Sequence, residues 1–112
     1  MRAPIRLSIP ALALCLGLAL SAGDARAGFE TGRSLIDHCS SAQIAQKIHC
    51  LGYIMGVYDA LDTAGLFCAP KDITAGRLRD LVQAYLQENP ERWDFDAENV
   101  VIIALGKAYP CK

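Results

Sequence analysis

Four cysteines in a chain too short for a large core constrain this sequence most. Cys39, Cys50, Cys68 and Cys111 follow an N-terminal leader, and a fifth, Cys15, lies inside it. An even set in a small exported domain reads as a two-disulfide scaffold built in an oxidising compartment. The leader has the parts of an export signal. Arg2 and Arg6 make a basic start, 11–22 is an uncharged apolar run, and Ala25-Arg26-Ala27 offers a cleavage site. A cut after Ala22 or Gly23 is the alternative. The run is shorter than the ~20 residues a spanning helix needs, which argues against a membrane anchor. Leu14 is a poor residue before a lipidated Cys15, which argues against a lipoprotein. The expected division is a signal peptide over 1–27 and one helical domain over 28–112.

Removing the leader leaves 85 residues. A core of that size is marginal in water, so crosslinks make physical sense. From Gly28 onward eight Lys and Arg stand against eleven Asp and Glu, a net charge of −3. No basic patch or Arg-rich run appears, so nucleic acid is not an expected partner.

The pattern after the leader predicts an all-α protein, a compact bundle of about four helices stapled by two disulfides. Thr31 is placed to cap a short helix from Gly32 to Cys39, whose Leu35, Ile36 and Cys39 share a face. A second helix covers about Ile44 to Ala64. Its Gly52, Gly56 and Ala60 form a stripe of small side chains. Two helical glycines cost up to ~1 kcal/mol each against alanine, so the stripe predicts a close contact inside the domain. Leu51, Ile54, Met55, Tyr58 and Leu61 are the expected core face, and Gly65 the helix end. Thr74 caps a third helix to Glu88, with Leu78, Leu81, Val82, Tyr85 and Leu86 as its apolar stripe. Asn89-Pro90 stops it. Asp96 caps a fourth helix to Ala108, with Phe95 and Val100 at hydrophobic-staple spacing. Val100 to Leu105 is apolar nearly all round, so this helix is expected to be central. A buried strand is the alternative reading of that run.

The pairing follows from reach. A helix from Cys50 to Ala64 advances about 21 Å, and the four residues on to Cys68 return at most ~14 Å. A disulfide needs Cα atoms about 5.5 Å apart. Provided the helix does not end early, Cys50 and Cys68 are poorly placed for each other. A hairpin of the last two helices brings Cys111 back beside Cys68. The expectation is Cys39–Cys50 and Cys68–Cys111.

Other chemistries are weakly supported. The dipeptides His38-Cys39 and His49-Cys50 together offer four zinc ligands. Adjacent helical side chains diverge by about 100°, however, so each pair fits one metal poorly, and no C-x-x-C is present. No metal and no cofactor are expected. A Cys–His nucleophile needs a free thiol, which an even count in an oxidising compartment disfavours. Asp59 and Asp62 lie three apart, as a catalytic pair or, more ordinarily, as a solvated face. No phosphate loop, G-x-S-x-G or H-E-x-x-H occurs. An enzyme is not expected. The loop Glu91, Arg92, Trp93 and Asp94 is the candidate partner-binding segment, since Trp and Arg are enriched at interface hot spots. The competing reading folds Trp93 back on the core.

The block C-x-G-Y-I-x-G-x-x-D from Cys50 to Asp59 is the most specific string in the chain. Phe67-Cys68-x-Pro70, Tyr85-Leu86-x-x-x-Pro90, Ala104-Leu105 and Pro110-Cys111 follow it, and Leu35-x-x-x-Cys39 precedes it. Together they resemble the Tai/Rap family of type VI secretion amidase immunity proteins. The resemblance implies a small all-helical periplasmic protein, often a homodimer. Such a protein binds a cognate peptidoglycan amidase effector and occludes its active-site cleft. The matched residues look structural and do not fix the partner surface. A small periplasmic stress chaperone, or an orphan helical binding protein, is the alternative.

Overall fold

The computed structural model describes residues 29–112 and contains four α-helices. They are α1 (Gly32–Ser40), α2 (Ile44–Asp62), α3 (Ala75–Glu88) and α4 (Ala97–Ala108), with a single 3-10 turn over Pro90–Arg92. The all-α expectation holds, and the run from Val100 to Leu105 is helix rather than strand. The leader assigned to 1–27 lies outside the described residues. None of the helices described is long and apolar enough to cross a membrane.

Local chemistry sets the helix ends. The Thr31 hydroxyl accepts from the Ser34 backbone N–H, and Ser34 Oγ accepts from the Thr31 N–H. This is a reciprocal capping box with serine in the position glutamate usually takes. Thr74 caps α3 through the Arg77 N–H. Gly65 closes the turn after α2 at φ +75°, where a side chain would be strained. Asp96 does not cap α4 with its side chain. Its backbone carbonyl instead accepts from Asn99 and Val100.

One apolar core joins all four helices. Leu35, Ile54, Leu86, Leu105, Val82, Val100, Val101 and Cys50 are its fully enclosed side chains. As expected, α4 is central: Val100, Val101, Ala104 and Leu105 are buried, with Ile102 and Ile103 packed beside them. The disulfides are Cys39–Cys50, tying α1 to α2, and Cys68–Cys111, tying the α2–α3 connection to the chain end.

The α2 helix corrects one expectation. Its inward face is Cys50, Tyr53, Ile54, Val57, Tyr58 and Leu61, a regular i, i+3, i+4, i+7 series. Gly52 lies two residues, about 200°, from Cys50. The small-residue stripe therefore points outward. A Cβ added at Gly52 or Gly56 meets nothing within 4 Å. Met55 is exposed rather than buried, on the same side as Ile44 and Ile48. No contact within the domain repays the two glycines.

Candidate functional site

The segment between α3 and α4 is built as a bracket. Helix α3 leaves its last carbonyls without helical partners, and two side chains from the following residues satisfy them. Asn89 Nδ2 donates to the Tyr85 carbonyl at 2.7 Å, and Trp93 Nε1 donates to the Leu86 carbonyl at 2.8 Å. Pro90, fixed in φ and lacking a donor, opens the 3-10 turn. The Arg92, Trp93 and Phe95 amides then donate to the Asn89, Pro90 and Arg92 carbonyls in turn.

The start of α1 clamps the other side of the bracket. The Gly32 amide donates to the Phe95 carbonyl at 2.8 Å, and the Arg33 amide to the Trp93 carbonyl at 2.7 Å. The Ala97 amide donates to the Glu30 carbonyl at 3.0 Å, and Thr31 forms an isolated antiparallel bridge with Asp96. These bonds explain why α1 opens on glycine. A Cβ on Gly32 would sit 2.6 Å from the Arg92 carbonyl oxygen and 3.0 Å from the Trp93 Cα.

The four residues proposed from sequence therefore have different environments. Glu91 and Asp94 are exposed. Trp93 is half-buried against the core, its indole N–H bonded inward and the Arg33 guanidinium 5.3 Å from its ring centroid. Truncation at Trp93 thus removes a fold contact as well as any partner contact. Arg92 is half-buried, with its guanidinium 4.7 Å from the Phe95 ring centroid and its Nε buried without a hydrogen bond. Arg33 approaches Asp94 at 3.6 Å, but both side chains are mostly solvated, so the pair contributes little.

Sequence reasoning missed Phe95 and Arg33 as part of this surface. Phe95 is 41 % exposed beneath the Arg92 guanidinium. Its staple spacing points to Val100 instead, and Val100 is fully buried. The outward surface is thus Arg33, Glu91, Arg92, Asp94 and Phe95, a mixed-charge ridge with an aromatic centre.

A second polar cluster lies where the N-terminal segment crosses α1 and α2. Glu30 Oε2 is 2.8 Å from His49 Nε2, and Oε1 is 3.4 Å from His38 Nε2. Burial alone would raise the Glu30 pKa. The nearby Ser34 hydroxyl, the His49 hydrogen bond and the attraction of either imidazole when protonated outweigh it and hold it below the usual value. Nearby, burial with added repulsion from Glu98 and Glu30 pushes the Tyr53 hydroxyl up to about 12. It stays protonated and able to donate. Both thiols nearest this cluster are consumed in the Cys39–Cys50 bond. Asp59 and Asp62 sit exposed on α2.

Four helices around one core, with no thiol left in the four-cysteine set, define a small disulfide-stapled helical protein. The chain belongs to the Rap1a immunity proteins, whose family profile matches residues 31–111. No match to the chain is found among curated proteins.

Proposed function

We propose that this protein is a periplasmic immunity protein that binds a cognate type VI secretion peptidoglycan amidase and blocks its active-site cleft, without chemistry of its own. Cleavage of the leader at 27 would release it into the periplasm. The observation that carries the reading is the bracketed ridge. Its backbone is tied at both edges to α1 and its turn to the end of α3, so it presents Glu91, Arg92, Asp94 and Phe95 with little ordering entropy left to lose. Preorganisation of this kind raises affinity. A specific interface needs about 800 Å² per partner, and the ridge with the adjoining face of α1 is its proposed centre.

The reading predicts a peptidoglycan amidase gene adjacent to this one, and the test is inhibition of that amidase. Charge reversal at Glu91→Lys with Asp94→Lys leaves the thermal midpoint unchanged, because both side chains are solvated. It is expected to weaken inhibition by about tenfold or more, the size of a typical hot-spot loss. Full inhibition by the double variant would remove the ridge from the proposed interface. Absence of such a gene, or of any complex with its product, would remove the amidase from the reading.

We also infer a homodimer, seated on the outer face of α2. Ile44, Ile48 and Met55 are exposed there at 75, 63 and 38 % beside the open stripe of Gly52 and Gly56. In a monomer, Gly52→Ala gains about 1 kcal/mol of helix propensity with no clash. Across a close helix pair the same methyl keeps the backbones apart. Gly52→Leu is therefore expected to convert a dimer to a folded monomer in sedimentation velocity. An unchanged oligomeric state would exclude this face. Dye binding that switches on with acid would instead favour the chaperone alternative.

A further inference from the structure

We propose that Glu30, His38 and His49 form a binding site for a borderline divalent transition-metal ion, with Zn(II) the foremost candidate. One ligand atom from each residue lies within 4.8 Å of the other two. Two imidazoles and one carboxylate are a common three-ligand set for zinc, with the fourth position left to water. Tetrahedral zinc at about 2.0–2.1 Å from each donor sets its ligand atoms about 3.3 Å apart. The 2.8 and 3.4 Å separations bracket that value. A small rotation of His49, which is 48 % exposed, closes the rest of the distance and admits the ion.

The fold presents these ligands in a usable state. The Cys39–Cys50 bond pins α1 to α2, and the residue before each cysteine is a histidine. The two rings consequently meet at 4.3 Å between centroids. This differs from the four-ligand His-Cys centre that the sequence disfavours, because the sulfurs are spent on each other and the third ligand comes from Glu30. Gln46 Oε1 accepts from His38 Nδ1. That contact fixes the tautomer and leaves the Nε2 lone pair facing Glu30, as second-shell partners of metal-bound histidines do. The Glu30 side chain is only 11 % exposed, and its Oε1 is buried without a hydrogen bond among the described residues. The His49 hydrogen bond serves Oε2 alone. An ion between the rings would supply the missing partner and brace the N-terminal segment against α1 and α2.

Calorimetric titration of the oxidised mature protein with Zn(II) is the test, paired with Co(II) as the optical probe. One saturable site is expected, with a rise in thermal midpoint on zinc addition. The Co(II) spectrum should show ligand-field bands and no thiolate charge-transfer band. His49→Gln should abolish the zinc-dependent rise in midpoint, whatever loss of its hydrogen bond to Glu30 does to the chelator-treated midpoint. Gln46→Ala should weaken zinc by about 10–100-fold, the usual cost of a lost second-shell contact. No saturable zinc heat would overturn the proposal. Binding that survives both His49→Gln and Glu30→Gln, or a thiolate band with Co(II), would also overturn it.

Discussion

Replacing Cys39 and Cys50 together by serine is expected to lower the unfolding free energy by about 5 kcal/mol, and two separate causes add to that figure. The ring closes over a sequence separation of 11, and chain entropy alone gives about 3 kcal/mol for a loop of that size. Both residues are also buried, at 6 and 0 % exposure. Each serine hydroxyl placed there without a partner costs at least about 1 kcal/mol more. The Cys68–Cys111 pair provides an internal comparison. Its separation of 43 gives about 4 kcal/mol from the same entropy argument. Both of its residues are exposed, so serine there adds no burial penalty. Urea unfolding of the two double variants separates the causes. The Cys39/Cys50 variant should lose more stability despite its shorter ring. Single domains of this size hold about 5–15 kcal/mol in total, so the first variant is expected to be largely unfolded at 37 °C. If the Cys68/Cys111 variant proves the less stable, ring entropy dominates and the buried pair is well tolerated as thiol-sized polar groups.

The helices and the pairing were legible because each rests on local rules. Thr31, Thr74 and Gly65 act through hydrogen bonds and φ angles that neighbouring residues determine. The disulfide pairing needed only chain reach and the α3–α4 hairpin. The direction of the α2 stripe was not legible in the same way. Glycines at i, i+4 announce a close approach but not whether the approaching helix belongs to the same chain. The register that decides it comes from Cys50, Ile54 and Tyr58, and the apolar Met55 and Ile48 obscure that register. The candidate site shows the same division. Glu91, Arg92, Trp93 and Asp94 were identifiable as a loop between two packed helices. That Trp93 turns inward depends on the Leu86 carbonyl, which the Asn89 amide approaches only at 3.3 Å and the indole N–H at 2.8 Å, and no residue spacing reports it. Arg33 and Glu30 join their sites through the pairing of Thr31 with Asp96, a contact spanning most of the domain.

Gly32→Ala is expected to cost about 3 kcal/mol and to unseat the ridge, a large effect for one methyl group. The new Cβ would lie 2.6 Å from the Arg92 carbonyl oxygen, closer than a packed Cβ comes, and 3.0 Å from the Trp93 Cα, tighter than nearly all such contacts. Both opposing atoms are backbone, so no rotamer change relieves the overlap. Relief requires the start of α1 to move away from the 3-10 turn. That movement stretches the Gly32–Phe95 and Arg33–Trp93 hydrogen bonds, which are short at 2.8 and 2.7 Å. Overpacking of this kind usually costs about 1–3 kcal/mol, and each weakened buried bond adds to it. Gly106→Ala supplies the matched control, because the same methyl near the end of α4 meets nothing within 4 Å. Hydrogen exchange at the Arg33 and Ala97 amides reads the seam directly. Both should lose protection in Gly32→Ala, and the Ile54 amide in the middle of α2 should lose it only to the extent that global stability falls. Because the seam holds Glu91 and Asp94 in place, amidase inhibition should weaken even under conditions where the variant is fully folded. A Gly32→Ala protein with parental stability and inhibition would mean that the ridge moves freely against α1, and the preorganisation on which the inhibitory reading depends would be lost with it.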